Sequence, residues 1–354
     1  MKNSEIYEKH QKLTEMIFEN SNLLPSRYVL VLTNRCNLNC SFCFQEKKIS
    51  PNHLTTDEWI EIIKQFPLYS RVTITGGEPL IYKDFKKIFI EVASRYDCNL
   101  ITNGLLLNKE IIDLLLEYEN FKTLSISIDT IGNINRGVTK SQWDRLVENL
   151  NYFIEQRDKK NIDCKLDVKT TILDENISKL YEIYRYCKEI LRVDFHSFAF
   201  LKGSSLQHSD VMYEYEDIFK EYKAYRYKNF ASLKEQFRLI AEYNRQNDQI
   251  SFAHPKVVNL DEDYDEDYDF INEESFEKSR FKLCKFPWSS VHINYDGNLF
   301  PCLSVSFGNL KKDSLKDVIN SKIAKRFKSD LLKHKLFLAC NRCGWLKVDI
   351  CGLN

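Results

Sequence analysis

The amino-acid sequence predicts an α/β fold of alternating strands and helices, followed by a small cysteine-rich region. Between residues 28 and 200, six predicted strands alternate with helices, and βα repeats of this length imply parallel strands with right-handed crossovers. The alternation stops after residue 200, and five of the eleven cysteines lie within residues 284–354. The repeat favours a barrel or an open barrel over a flat doubly wound sheet, although the period alone does not decide between barrel and sheet.

The predicted elements follow from hydrophobic periodicity and from capping and turn residues. The six strands are residues 28–33, 71–79, 98–104, 123–130, 164–173 and 192–200. The helices between them are residues 55–66, 84–96, 109–119, 143–157 and 177–190, the first of which a Thr or Asp caps. Residues 209–250 predict two further helices, and the acid- and tyrosine-rich run 261–269 predicts a solvated loop rather than a docking site.

Four regions are predicted from this order. They are an N-terminal helix and linker (1–27), the barrel (28–204), a helical and acidic insertion (205–280) and the cysteine-rich region (281–354). The formal net charge is zero, which gives no support for a nucleic-acid or membrane partner. The N-terminus lacks the apolar core of a signal peptide, so we expect a cytoplasmic protein whose cysteines bind metal rather than form disulfides.

The first cysteine motif is TNRCNLNCSFCFQ, which places Cys36, Cys40 and Cys43 directly after the first strand. In parallel α/β barrels that end of a strand carries the active-site loops. Three thiolates can hold three irons of a four-iron cluster and leave the fourth iron open to an outside ligand. The alternative is a structural zinc site completed by His53 or by a distant cysteine, and the spacing favours the cluster.

The C-x3-C-x2-C spacing after a first strand, with Phe42 just before the third cysteine, resembles the radical S-adenosylmethionine (SAM) enzymes. The resemblance runs from about residue 28 to the end of the chain. It implies a partial (β/α)6 TIM-like barrel and a SAM-binding 4Fe-4S cluster. In that family SAM chelates the open iron and is cleaved by one electron to methionine and a 5′-deoxyadenosyl radical, which takes a hydrogen atom from the substrate.

The resemblance extends to the ends of the following strands. Gly76, Gly77 and Glu78 belong to a GGEP motif similar to that of the family. The glycines allow close backbone approach to a ligand, and the Glu78 carboxylate or nearby carbonyls are expected to accept from the SAM ammonium group. Asn103 is expected near the ribose, and Ser127 near the ribose or the methionine carboxylate.

The sequence leaves two roles open for each of several further residues near the strand ends. Arg136 is either a partner of the SAM carboxylate or a surface arginine. Asp129 is either a helix cap or a substrate contact, and the SFAF segment 197–200 lies either against adenine or in an aromatic core. No residue is assigned a catalytic role, because in the resembling enzymes the deoxyadenosyl radical performs the hydrogen abstraction. Three polar candidates, all more often structural, are His196, Asp194 and Lys169.

The C-terminal cysteines form a second set. Cys284 and Cys302 flank a predicted β-hairpin with an Asp-Gly turn, and a predicted helix separates them from a C-x2-C pair. This order resembles the auxiliary-cluster region of the SPASM and Twitch subgroups. The seven-cysteine SPASM run is incomplete, which favours the Twitch form with one auxiliary 4Fe-4S cluster; a zinc ribbon is the structural alternative. The expected ligands are Cys284, Cys302, Cys340 and Cys343, with Cys351 a spare or a replacement.

The resemblance predicts the class of reaction more closely than the substrate. We expect an oxidative cross-link or dehydrogenation of a peptide or protein side chain, with a dehydrogenase or epimerase of a sugar-like metabolite as the alternative. A non-catalytic metal-binding or electron-transfer protein is the alternative of another class. Residues 1–27 are short for a peptide-recognition domain. Residues 311–335 carry nine Lys/Arg against three Asp and form either a solvated face or a docking site for a flavodoxin- or ferredoxin-like reductant.

Overall fold

The computed structural model of the chain describes residues 3–20, 22–47, 52–255, 260, 268–273 and 275–349. Its strands are β1 Arg27–Val31, β2 Arg71–Thr75, β3 Asp97–Thr102, β4 Phe121–Ser127, β5 Lys165–Thr171, β6 Phe195–Ala199, β7 Ser251–His254, β8 Ser290–Ile293, β9 Asn298–Phe300 and β10 Gly308–Asn309. Its α-helices are α1 Asn3–Glu19, α2 Thr56–Ile63, α3 Phe85–Ala93, α4 Lys109–Leu115, α5 Lys140–Lys159, α6 Leu180–Arg185, α7 Phe230–Asn247, α8 Phe286–Ser289, α9 Leu315–Ile319 and α10 Lys322–His334.

These strands form a single sheet in the order β10-β9-β8-β1-β2-β3-β4-β5-β6-β7. Strands β1 to β7 are parallel and neighbours in chain order, and β8 joins the free edge of β1 in parallel. Strands β9 and β10 continue the sheet antiparallel. The predicted alternation of parallel strands and helices is therefore confirmed, as an open barrel extended at the β1 edge by the cysteine-rich region.

The sheet continues beyond residue 204, where we expected the barrel to end. Strand β7 comes from the 205–280 segment and pairs with β6. The prediction of two helices in 209–250 was wrong, since that stretch forms one 3-10 turn, Tyr215–Phe219, and the single helix α7. The chain before α7 is held extended by tertiary hydrogen bonds, including the Tyr227 hydroxyl to the Ile172 carbonyl, which override local helix propensity. Most of the 261–269 run lies outside the described residues.

Alternate strand residues divide the barrel into a helix-facing layer and an interior. Leu30, Ile74 and Leu100 are fully buried and pack with Trp59 of α2 and Phe89 of α3 in one hydrophobic core. Residues between them along each strand point to the opposite face, into the barrel interior, because side chains alternate along a strand. The three cysteines predicted to be core residues are fully buried in the helix-facing layer: Cys98, Cys164 and Cys187.

The cysteine-rich region is joined to the barrel by strand pairing. The predicted hairpin is formed by β8 and β9, with Gly297 in the turn at φ +88°. Strand β8 pairs with β1 from Arg27↔Ser290 onward. Helix α1 covers the start of this region, where the Thr14 and Ser289 hydroxyls hydrogen-bond at 2.8 Å. The region is therefore held in register with the strand that leads into the first cysteine motif.

Candidate functional site

The loop after β1 presents the first three cysteines at the carboxyl end of the parallel strands. Cys36, Cys40 and Cys43 are all partly exposed. The backbone N–H of Leu38 donates to the Cys36 Sγ at 3.4 Å, which turns the loop tightly after the first thiol. Burial raises the pKa of Cys36 and of Cys40, and the nearby positive charge of Lys47 opposes both shifts. The loop therefore offers three accessible thiols, and nearby cationic groups offset part of the effect of burial on Cys36 and Cys40.

The glycine pair after β2 lets two backbones come into contact. Gly77 N–H donates to the Thr33 carbonyl at 2.6 Å, and Glu78 N–H donates to the Arg35 carbonyl at 2.8 Å. A Cβ atom on Gly77 would lie 2.2 Å from the Arg35 carbonyl oxygen, which no side chain tolerates. The Gly-Gly sequence therefore fastens the end of β2 to the residues that lead directly into Cys36.

We expect Gly77→Ala to displace this contact and with it the cysteine loop. Overpacking against a backbone carbonyl cannot be relieved by a rotamer change, so the loop must move. SAM affinity of the anaerobically reconstituted chain, measured by calorimetry, should fall about tenfold or more. Gly344→Ala is the control, because Gly344 does not have a positive φ and the nearest atom to an added Cβ would be 3.6 Å away, an ordinary contact. Equal SAM affinity in both variants would show that the close approach is dispensable.

Glu78 is engaged by the protein itself. Its carboxylate is fully buried and accepts from the Thr102 hydroxyl at 2.7 Å, Asn103 N–H at 2.8 Å and Leu80 N–H at 3.1 Å. Burial raises the pKa of Glu78, and these three donors oppose the shift. The carboxylate therefore joins the ends of β2 and β3, and of our two expectations for the SAM ammonium the neighbouring carbonyls fit this geometry better.

Asn103 extends the same connection to the cysteine loop. Its Nδ2 donates to Asn37 Oδ1 at 2.7 Å and lies 3.9 Å from the Cys36 Sγ. Its Oδ1 accepts from Leu105 N–H at 3.0 Å, which fixes the direction of the amide. Asn103 is thus placed beside the first cysteine, at the strand end where the resemblance expects the ribose.

Arg136 is not a surface arginine, and Asp129 is neither a helix cap nor exposed to a substrate. The Arg136 Nε donates to Asp129 Oδ2 at 2.6 Å, and the Asp129 carboxylate is fully buried. The guanidinium also lies over the Phe42 ring at 5.3 Å and 4.0 Å from the Cys40 Sγ. Burial is the largest single effect and lowers the pKa of Arg136, but the charge and hydrogen bond of Asp129, together with the nearby cysteines, leave the pKa raised. The ion pair therefore supports the cysteine loop through the contacts of Arg136 with Phe42 and Cys40.

We expect Asp129→Ala to lower the free energy of unfolding by about 3 kcal/mol, because it leaves a buried guanidinium without its partner carboxylate. Urea unfolding under anaerobic conditions measures this change. Asp144→Ala is the matched control, since its ion pair with Lys140 is exposed and should contribute at most about 1 kcal/mol. The double variant Asp129→Ala with Arg136→Met should recover part of the loss. Equal effects of Asp129→Ala and Asp144→Ala would contradict the supporting role.

The barrel interior carries a polar network that the sequence analysis singled out only in part. Ser125 Oγ donates to Asp167 Oδ2 at 2.8 Å, Lys169 pairs with Asp167 at 2.8 Å, and Lys169 Nζ donates to Ser197 Oγ at 3.3 Å. Ser127 lies on the same face at the end of β4, opposite Lys169, and is partly exposed. Alternation along β5 puts Asp167 and Lys169 on one face of the strand, and this is the sequence signal that could have identified Asp167.

Other candidates near the strand ends belong to the fold. His196 is fully buried and its Nε2 hydrogen-bonds the Thr170 hydroxyl at 2.8 Å. Asp194 pairs with Arg157 at 2.6 Å. The two aromatic residues of the SFAF segment, Phe198 and Phe200, are buried in an aromatic cluster that includes Phe237, so the aromatic-core interpretation holds for them.

The four expected auxiliary ligands surround one small apolar cavity: Cys284, Cys302, Cys340 and Cys343. Burial raises the pKa of Cys284 to about 12 and also raises the pKa of the other three thiols. Within the described residues, no three or more His, Cys, Asp or Glu side chains are grouped for a single metal ion. Four thiolates can bind the four irons of one cluster, one thiolate at each iron. Cys351 lies outside the described residues.

A segment that the sequence analysis did not identify connects the two cysteine sites. The bridging segment, residues 202–210, follows the carboxyl end of β6. On one side, His208 N–H donates to the Cys302 carbonyl at 3.0 Å. On the other, the Asp210 carboxylate accepts from Glu46 N–H at 2.7 Å, just after the first cysteine motif. One short segment of the chain therefore connects the two cysteine sites.

Two protein-family models match the chain, one over each of the two cysteine regions. A model of the radical SAM superfamily matches residues 30–187, and a model of the SPASM iron–sulfur cluster-binding domain matches residues 284–344. The chain is similar to the sporulation killing factor maturation protein SkfB of Bacillus subtilis, with 30% identity over 168 residues, covering 46% of this chain and 40% of SkfB.

Two further relatives match over most of this chain. The subtilosin biosynthesis protein AlbA of B. subtilis is 23% identical over 340 residues, covering 88% of this chain and 65% of AlbA. A probable GTP 3′,8-cyclase of Methanocaldococcus jannaschii is 26% identical over 300 residues, covering 81% of this chain and 86% of that protein. The chain thus spans less than two thirds of the length of SkfB and of AlbA.

The fold is shared with solved structures. Streptococcus suis SuiB, bound to the precursor peptide SuiA, superimposes with a TM-score of 0.62 at 18% identity, covering 90% of this chain and 70% of that chain. The likeness extends over the barrel and the cysteine-rich region together. Among the described residues, no helix is both long and apolar enough to span a membrane.

Proposed function

The chain is a member of the radical SAM superfamily with a C-terminal SPASM domain, and we propose that it oxidatively modifies a peptide or protein side chain. The observation that carries this proposal is the pair of cysteine sites connected by the bridging segment, one with three thiols and one with four. When bound, the first centre supplies the one-electron cleavage of SAM to the hydrogen-abstracting radical, and the second supplies the acceptor for the electron left on the substrate.

The residues around the first site have distinct proposed roles. Cys36, Cys40 and Cys43 bind the cluster and leave one iron for SAM. Carbonyls of the glycine pair accept from the SAM ammonium, since the Glu78 carboxylate is already occupied by three donors. Ser127 faces the interior beside the strand ends and orients the ribose or the methionine carboxylate. Arg136 holds the cysteine loop in place through its contact with Phe42. Asn103 does the same through its hydrogen bond to Asn37.

Two features support a peptide or protein substrate. SkfB and AlbA are by name a sporulation killing factor maturation protein and an antilisterial bacteriocin biosynthesis protein. The open barrel also exposes a polar interior, in which the Lys169 side chain is 38% exposed beside Asp167 and can contact backbone amides or polar side chains. A flavodoxin- or ferredoxin-like protein as reductant and a cytoplasmic location stay predictions from the sequence.

A second candidate, chemistry on a small metabolite, is favoured by the long match to the GTP 3′,8-cyclase. One experiment separates the two. The reconstituted chain is incubated anaerobically with SAM and dithionite, with either short peptides encoded beside its gene or a panel of sugars and nucleotides. We expect 5′-deoxyadenosine and a peptide product lighter by two hydrogens. Consumption of a sugar or nucleotide with unchanged peptides would favour the second candidate, and absence of deoxyadenosine throughout would contradict both.

A further inference from the structure

Two arginines stand side by side at the end of the barrel opposite the cysteine loop. Arg27 is the first residue of β1, Arg71 is the first residue of β2, and the two are direct partners in the parallel register. They have the same strand parity as Val29 and Thr73, so both side chains project toward the barrel interior. Neighbouring like charges at a partly buried position oppose each other unless an anion lies between them.

Neither arginine has a carboxylate partner among the described residues. Arg27 Nη1 donates to the Ser290 hydroxyl at 3.0 Å, while its Nε is buried without a hydrogen bond. Arg71 likewise has a buried Nε without a hydrogen bond. The nearest acid in register is Asp97, which lies 3.9 Å from the Lys122 ammonium and forms no ion pair with Arg71. Burial lowers the pKa of both arginines; the charge of Arg71 adds to the shift at Arg27, and the charge of Asp97 offsets part of the shift at Arg71.

His10 of α1 completes one side of this arrangement. It is 7% exposed, and its Nε2 is buried without a hydrogen-bond partner. Burial, followed by the charges of Arg71 and Arg27, lowers the pKa of His10 to about 3, so the ring is neutral and can donate a single hydrogen bond. His10 lies edge-on to Phe286 and near Trp345, whose ring is 5.8 Å from the Arg27 guanidinium carbon.

A surface groove reaches His10 and Trp345, the two residues beside the arginine pair, although neither arginine lines it. It lies between α1 and the start of the cysteine-rich region, encloses about 430 Å³, and is lined by both His10 and Trp345. That volume is in the range of small-molecule sites. Three lysines line it as well, of which Lys285 pairs with Glu15 while Lys282 and Lys347 are exposed, so the groove is net positive.

We propose that Arg27 and Arg71, with His10, form a binding site for a phosphate group, and that the groove under α1 holds the rest of the phosphorylated ligand. Two planar guanidinium groups match the charge of a phosphate dianion and offer it paired N–H donors. The neutral His10 adds one donor from the α1 side. The arginine pair lies at the end of the strands opposite the first cysteine site, whereas the groove is also lined by Cys284, an expected auxiliary ligand. Phosphate binding is measured without SAM cleavage, so the test does not depend on the radical chemistry proposed above.

The test uses the full reconstituted chain and inorganic phosphate as the probe. We expect saturable phosphate binding by calorimetry, and a higher Tm in phosphate than in chloride at equal ionic strength. Arg71→Gln should lower the phosphate affinity about tenfold or more, because it removes charged hydrogen bonds. Arg71 makes no side-chain hydrogen bond to another residue in the described part of the chain, so this variant is expected to fold, and Arg27→Gln repeats the test from the other strand.

Arg145→Gln is the control, because it removes one positive charge from an exposed position on α5. It should leave phosphate binding unchanged. The proposal is overturned if wild-type protein shows no saturable binding, or if Arg71→Gln and Arg27→Gln both bind phosphate as tightly as wild type. Acetate binding as tightly as phosphate would overturn the assignment to a phosphate group.

Discussion

Replacing Cys36, Cys40 and Cys43 together by Ala is expected to abolish the cleavage of SAM. The three thiols are the partly exposed set at the carboxyl end of the parallel strands, where the loop after β1 meets the ends of β2 and β3. Without them the cluster has no protein ligands at this site, and about four irons should be lost. Chromatography of 5′-deoxyadenosine after dithionite reduction and colorimetric iron analysis measure the two effects.

Cys187→Ala is the control for loss of a thiol elsewhere. Cys187 is fully buried in the core, and burial alone raises its pKa, so it is not expected to bind iron. This variant should keep its iron and its SAM cleavage, with at most a small loss of stability from the missing sulfur. Residual deoxyadenosine formation by the triple variant at wild-type rate would place the SAM-cleaving centre elsewhere.

Replacing Cys340 and Cys343 by Ala should have the second largest effect, the loss of about half of roughly eight irons. These two thiols line the same cavity as Cys284 and Cys302, and four cysteines complete one cluster without an open iron. SAM cleavage should persist, because the first cysteine site lies on another loop. Oxidation of a substrate should be lost, because the acceptor for its second electron is gone.

Iron analysis and Mössbauer spectra of the Cys340 and Cys343 variant measure the lost cluster directly. Cys351→Ala is the matched comparison within the same region. It should retain full iron if the four cysteines around the cavity are the complete set, and lose iron if Cys351 replaces one of them. Unchanged iron in the Cys340→Ala, Cys343→Ala double variant would contradict the assignment of the cavity as a cluster site.

The parts of the fold that were predicted from sequence are those encoded by local patterns. The six strands with their intervening helices and the β8–β9 hairpin follow from hydrophobic alternation, caps and turn residues. Strand β7 was missed because it has only four residues, too few for a clear alternation pattern. Strand lengths were also overestimated at their ends, as at β2, where Gly76 begins the contact with the cysteine loop.

The candidate site shows the same division. The cysteine spacing, together with the family resemblance that it carries, singled out the cysteines and the glycine pair, because these motifs depend on neighbours within a few residues. The bridging segment was not found, since the contact of Asp210 with Glu46 joins positions 164 residues apart and no local period encodes it. The pairing of Arg136 with Asp129 was missed for a different reason: a charged pair seven residues apart looks the same in sequence whether it is buried or exposed.

Electron paramagnetic resonance of the reduced, reconstituted chain tests the central claim most directly, namely that one cluster keeps an iron open for SAM. The Cys340→Ala, Cys343→Ala variant is used so that the signal comes from the first site alone. Adding SAM should change the g-values of that signal, because a new ligand binds the open iron. A reduced-cluster signal that is identical with and without saturating SAM would contradict the account.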